Sequence, residues 1–104
     1  MRVVLTRAAL RELEDIADRI SQDDPVRAES FVAELQSKCM ALATQHAMFP
    51  ILPGYTASGL RRRVHRRYSI FYEVGQDTVT VLHVVHGARD YIRVVFADQG
   101  DTDR

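Results

Sequence analysis

The sequence holds a single cysteine, Cys39, no tryptophan, and one lysine, Lys38, against thirteen arginines. One thiol excludes an internal disulfide and fits a reducing compartment. No apolar run approaches the roughly 20 residues that span a bilayer as a helix. The opening MRVVLTRAAL has too short an apolar core for a secretory signal and runs into a helix pattern, so a cytoplasmic protein is expected. Glycine-rich phosphate loops, a Ser-His-Asp set and cysteine–histidine metal spacings are all missing, and the reading assigns neither a cofactor nor a metal. The net charge is zero, with 14 basic and 14 acidic residues.

That neutrality is unevenly distributed. Residues 1–59 carry six basic and eight acidic groups, residues 60–93 seven and three, and residues 94–104 one and three. The basic part of the chain is therefore its middle third. With 46% hydrophobic and 27% charged residues in 104, the composition is that of one globular domain with a single core. We assign that domain to residues 1–96, and residues 97–104, ADQGDTDR, to a polar tail expected to be mobile.

Arg2 to Leu5 is a short β-type run, after which Thr6 can cap a helix through its side-chain oxygen. Leu10, Leu13, Ile16, Ala17 and Ile20 then recur at helical spacing, with Arg11, Glu12, Glu14, Asp15, Asp18 and Arg19 turned elsewhere. Ser21 to Asp24 interrupts the pattern. Asp24-Pro25 supplies an N-cap followed by proline at the first helical position, where a missing N–H costs nothing. The second helix carries Ala28, Phe31, Leu35, Cys39 and Leu42 on one stripe and is expected to end near His46. Cys39 on that stripe reads as an inert buried thiol. Met48 to Gly59 holds the other two prolines and reads as a loop, with Phe49, Ile51, Leu52 and Tyr55 able to tuck over the core.

Three strand patterns follow. Leu60 to His65 alternates Leu60, Arg62 and Val64 against Arg61, Arg63 and His65. Its connection at Arg66-Arg67 lacks the glycine or asparagine that a two-residue hairpin prefers. Tyr68 to Val74 sets Tyr68, Ile70, Tyr72 and Val74 against Ser69, Phe71 and Glu73, and Tyr68 and Tyr72 read as core residues with a hydroxyl at the edge. After Gly75-Gln76-Asp77, Thr78 to His86 is rich in valine, which predicts an antiparallel hairpin. Val94 to Phe96 can prolong a strand. The order is strand, helix, helix, strand, strand, strand (β-α-α-β-β-β), an α+β two-layer domain with a largely antiparallel sheet.

Several motifs in this order carry a resemblance: Tyr-Ser-Ile-Phe-Tyr at 68–72, the run Val81 to Asp90 that ends in His-Gly-Ala-Arg-Asp, and Asp24-Pro25 with Ala28 and Phe31 downstream. The chain resembles the ParE toxins of bacterial toxin–antitoxin modules, within the ParE/RelE superfamily, over about residues 2–93. Ser69 departs from the pattern, since many relatives have arginine there. The resemblance implies a RelE/ParE-like fold and a small toxin neutralised by a co-encoded ParD-like antitoxin whose C-terminal segment wraps it. For the ParE branch it implies DNA gyrase as target, poisoned so that cleaved DNA persists. For the RelE branch it implies cleavage of messenger RNA on the ribosome.

The residues themselves leave both chemistries open. Arg61, Arg62, Arg63, Arg66 and Arg67 are the densest charge in the chain, and an arginine fork suits phosphate or carboxylate, so nucleic acid or an acidic peptide is a sensible partner. A solvated arginine-rich strand is the plainer account, and strand alternation splits these arginines between two faces. An RNase needs a base, an acid and cations for the developing charge. His65, His83, His86, Tyr91, Arg62 and Arg89 are the candidates, but strand alternation sends His83 and His86 to opposite faces. Relatives on the nucleolytic branch tend to carry lysines and a tyrosine or histidine beyond the last strand; here the one lysine lies on the second helix, and Tyr91 and Arg93 are the only tail residues that could substitute. Gly87 permits a bend at the strand end, Asp90 fits a local structural role, and Arg89 fits partner contact. The expectation is a non-enzymatic toxin with no catalytic residue, meeting antitoxin or target through Arg61, Arg62, Arg63, Arg66, Arg67, Arg89, Tyr91 and Arg93. The alternatives are an RNase and a non-toxic antitoxin-binding relative.

Overall fold

Residues 1–87 are described by a computed structural model. The expectations for Arg89, Asp90, Tyr91, Arg93, Val94 to Phe96 and the tail at 97–104 lie outside the described residues.

Strand β1 (Arg2–Leu5) leads directly into helix α1 (Arg7–Ser21). Thr6 caps that helix, accepting from the Ala9 N–H at 3.1 Å, while its own hydroxyl donates to the Leu82 carbonyl at 2.8 Å. One side chain thus starts the helix and pins it to a strand 76 residues away. Helix α2 (Pro25–Met40) opens on Asp24, whose carboxylate accepts from the Arg27 N–H at 3.0 Å, with proline in the first turn. It ends at Met40, short of the expected His46. After a break at Ala41, the helical path resumes as the single turn α3 (Leu42–Gln45) and a 3₁₀ turn at His46–Met48. Leu42 keeps its place on the buried stripe across that break.

The sheet has strand order β1-β4-β3-β2, with β2 at Arg61–His65, β3 at Tyr68–Val74 and β4 at Thr78–His86. Strands β2, β3 and β4 are antiparallel neighbours, whereas β1 pairs parallel to β4 with Arg2 opposite Thr78 and Leu5 opposite Val81. The sheet is therefore mixed: the two-helix connection carries the chain from β1 to β2 at the far edge, and two antiparallel turns then bring β4 back beside β1 in the same direction. Central β3 is buried on both faces. Tyr68, Ile70 and Tyr72 pack under the helices with Leu13, Ile16, Phe31, Leu35, Cys39 and Leu42. Phe71 packs on the other face with Leu52, Leu60 and Val85, a smaller core made by the 50–60 loop folding behind the sheet.

Two details depart from the local patterns. On α1, Ala9 is buried in place of Leu10, which is 50% exposed. Leu10 looks outward with Leu13, Ala17 and Val32 into a groove between the two helices of about 260 Å³. In β4, Phe71 pairs with His83 but Tyr72 pairs with Val81, so Leu82 is an extra residue in the ladder. The bulge shifts the alternation by one. Val81 and Val84 accordingly sit in the helix-side core, and Leu82 and Val85 belong to the other.

Candidate functional site

The arginines of β2 separate as the alternation predicts, and three of them are engaged inside the molecule. Arg61 donates through Nη1 to the Phe49 carbonyl. Arg63 donates to the Lys38 carbonyl at 3.2 Å and to Gln45 Oε1 at 3.0 Å, and its guanidinium lies 4.7 Å from the centre of the Phe49 ring. These two arginines hold the end of α2, α3 and the start of the 50–60 loop against the sheet edge. Arg62 points the other way and donates through Nε to Ser69 Oγ at 2.9 Å. Ser69, the position at which the chain departs from the family pattern, is thus a buried acceptor for a neighbouring-strand arginine.

Arg66 and Arg67 occupy the β2–β3 turn. Arg66 takes the left-handed conformation, φ 56°, that a glycine or asparagine would adopt more cheaply. The hairpin forms despite this, since five register pairs from Arg61–Tyr72 to His65–Tyr68 follow it. At the far end of β4, Gly87 has φ +52°, a conformation glycine adopts without strain, and donates to the Arg67 carbonyl at 2.6 Å.

The corner is organised by Glu34 on α2. Its Oε2 accepts from Arg27 Nη1 at 2.8 Å, its Oε1 accepts from His65 Nε2 at 3.1 Å, and Arg66 Nε lies 3.5 Å from the same Oε1. Arg27 and Glu34 are seven residues apart, two helical turns along one face, with Ser30 between them also accepting from Arg27. Hydrogen bonds from Arg27 and then His65 hold the Glu34 carboxyl down to about 2, against an ordinary value of 4.5. The unfolded chain therefore binds more protons here than the folded one. The contribution is fully present above about pH 4.5 and is lost as pH falls towards about 2. Replacing Glu34 by glutamine is expected to lower stability at pH 7 and to flatten the loss in that acid window. Urea midpoints measured across pH would check this, and parallel profiles for the two proteins would exclude it.

The histidines do not assemble into an acid–base set. His65 is bound to Glu34 and stacks on Phe31. His83 places Nδ1 3.1 Å from Glu12 Oε2, and Glu12 Oε1 accepts the Val84 N–H at 3.0 Å, where β4 has run past the end of β1. His86 lies edge-on to Tyr68, ring centres 5.2 Å apart. His83 pairs with Phe71 and His86 with Tyr68, which lie on opposite faces of β3, so the two histidines face opposite ways as the alternation predicts; the bulge at Leu82 precedes both. Glu12 and Glu34 are the residues that sequence reasoning missed. The seven-residue spacing of Arg27 and Glu34 hinted at one, while nothing local marked Glu12.

Tyr72 donates to the His46 carbonyl at 2.6 Å, and burial pushes its phenol up. Cys39 is fully buried and its thiol is pushed up to about 11 by that burial, which leaves it unreactive at neutral pH. Among the described residues, no group of three or more histidine, cysteine, aspartate or glutamate side chains is placed to hold a metal ion, and no helix is long and apolar enough to cross a membrane.

Part of the exposed apolar surface, including Leu10, Ile51 and Val64, lines two grooves. Besides the one between α1 and α2, a groove of about 630 Å³ follows the outer edge of β2, lined by Phe49, Pro50, Ile51, Leu52, Pro53 and Val64, with Arg62 beside it. Val64 is 54% exposed. Both present apolar side chains to solvent.

Comparison with known families matches residues 3–91 to the model of the ParE toxin of type II toxin–antitoxin system, parDE. The chain is also similar to a solved structure described as the chromosomal ParDE TA system from P. aeruginosa, with a TM-score of 0.71 at 19% identity, over 85% of this chain and 97% of that one. At that identity the likeness speaks to the fold. No curated protein matches.

Proposed function

Because the chain belongs to the ParE toxin family of type II toxin–antitoxin systems, we propose that it acts in the cytoplasm by binding DNA gyrase so that cleaved DNA persists, and that a co-encoded antitoxin neutralises it. The observation that carries the reading is the family match over residues 3–91. Two apolar grooves on opposite sides of the molecule fit the wrapping expected of an antitoxin segment.

A non-enzymatic mode of action is supported by the histidines. His65 and His83 bind carboxylates of different helices, Glu34 of α2 and Glu12 of α1, so these two histidines do not form an acid–base pair with each other. Of the five arginines at 61–67, Arg66 and Arg67 are the exposed pair, and we assign them the first contacts with antitoxin or target. Arg61, Arg62 and Arg63 support those contacts from within the fold, and Arg89, Tyr91 and Arg93 complete the proposed surface.

The test is purified protein with gyrase, supercoiled plasmid and ATP, followed by digestion of protein and scoring of linear DNA. Linear DNA that depends on the toxin and disappears with the antitoxin is expected. Folded protein that leaves the plasmid uncut while transcripts are cleaved in a translating extract would overturn the gyrase reading in favour of ribosomal RNA cleavage.

A further inference from the structure

The corner where α1 gives way to α2 and β2 turns into β3 encloses a groove of about 300 Å³, lined by Ile20, Arg27, Phe31, Arg66, Arg67 and Tyr68. Three arginines rim it, and among the described residues the carboxylate that pairs with their guanidiniums, Glu34, is already shared by Arg27, Arg66 and His65, while Asp24 meets only the backbone N–H of Arg27. The Arg67 side chain enters none of the ion pairs among the described residues. The rim thus carries positive charge in excess of what the corner neutralises.

Its floor favours a peptide over a nucleobase. A base needs a free aromatic face on which to stack. Phe31 offers none: the Arg27 guanidinium covers it at 5.1 Å, while His65 and Tyr68 pack against it at 6.1 and 5.3 Å between ring centres. What remains open is the aliphatic surface of half-buried Ile20 beside the small exposed part of Tyr68, suited to a branched side chain. Guanidiniums above such a floor match a carboxylate next to an apolar residue. Arginine also stands at Arg66 although the left-handed turn favours glycine or asparagine, a local cost of the kind that gathers at functional sites.

We propose that this groove binds an acidic–apolar segment of the antitoxin, one carboxylate entering between Arg66 and Arg67 and the adjacent apolar side chain resting on Ile20 and Tyr68. The proposal rests on the antitoxin reading above and adds the place and the chemistry. Because Arg66 is tied to Glu34 on α2 and Arg67 to Gly87 through its carbonyl, the turn is held in position before the partner arrives, and little ordering is left for binding to supply.

The experiment is calorimetric titration of the full-length co-encoded antitoxin into wild-type protein and into an Arg66→Asn/Arg67→Gln variant, each at two salt concentrations. Asparagine tolerates the left-handed turn, and Arg67→Gln alone serves as a second variant that leaves the turn and the Glu34 contacts untouched. Affinity is expected to fall about tenfold or more in the double variant, with a shallower salt dependence, and to fall part of the way in the single one. Unchanged affinity and salt dependence, with wild-type protein binding tightly, would overturn the groove assignment and leave the antitoxin reading standing. Absence of antitoxin binding by the wild type would overturn both. If the variants keep the antitoxin but lose a 20-base-pair duplex that the wild type binds, the rim serves phosphate and the peptide assignment fails.

Discussion

Tyr72→Ala is expected to cost about 3–5 kcal/mol, enough to leave a domain of ordinary stability largely unfolded at 37 °C. Tyr72 is fully buried at the centre of β3, in the core shared by both long helices and three strands. Two effects add in this residue and can be separated. The ring fills the helix-side core, and removing it leaves a cavity that stiff neighbours such as Val79 and Val81 fill poorly. The hydroxyl holds the His46 carbonyl, where α3 passes into the 3₁₀ turn. Tyr72→Phe keeps the ring and strands that carbonyl, at a cost of about 1–2 kcal/mol. Urea denaturation of the two variants gives both numbers. A loss below about 1 kcal/mol for Tyr72→Ala would mean that the ring is not central to the core.

The second large effect is expected one residue earlier and on the opposite face. Phe71→Ala should also cost about 3–5 kcal/mol, but through a different part of the molecule. Phe71 joins Leu52, Leu60 and Val85 behind the sheet, and that contact keeps the 50–60 loop in place. The loop has backbone bonds of its own, from Leu52 N–H to Leu60 O at 2.8 Å and from Gly59 N–H to Tyr55 O at 2.8 Å. Without Phe71 these should open far more often than helix bonds do. Hydrogen exchange is therefore expected to speed up at Leu52 and Gly59 well beyond the global change, while Leu35 and Cys39 on α2 report only global unfolding. If all four amides accelerate equally, the back layer is not a separate unit. The loop also forms one side of the groove along β2, so its detachment should weaken antitoxin binding even where the rest of the fold survives.

Glu34 and Arg66 show why the site was harder to read than the elements that carry it. An arginine-rich turn was visible in the sequence, and so was the hairpin around it. Its attachment to α2 was not, because Glu34 and His65 are 31 residues apart and meet only once the helix lies across the strand. The same holds for Glu12, whose carboxylate takes the Val84 N–H and sits beside His83, across more than 70 residues.

What the sequence determined by itself is what short-range physics governs. The Thr6 and Asp24-Pro25 caps, the stripe from Ala28 to Leu42 and the two-sided alternation of β3 follow from side-chain spacing and backbone preference within a few residues. Tertiary structure decided the parallel pairing of β1 with β4, the extra residue at Leu82, the exchange of Ala9 for Leu10 in the core, and the division of the arginines at 61–67 into internal braces and an exposed pair. Each of these turns on which distant group satisfies a backbone N–H, a carbonyl or a charge. Local spacing carries no record of such partners, because they meet only when the helices close over the sheet.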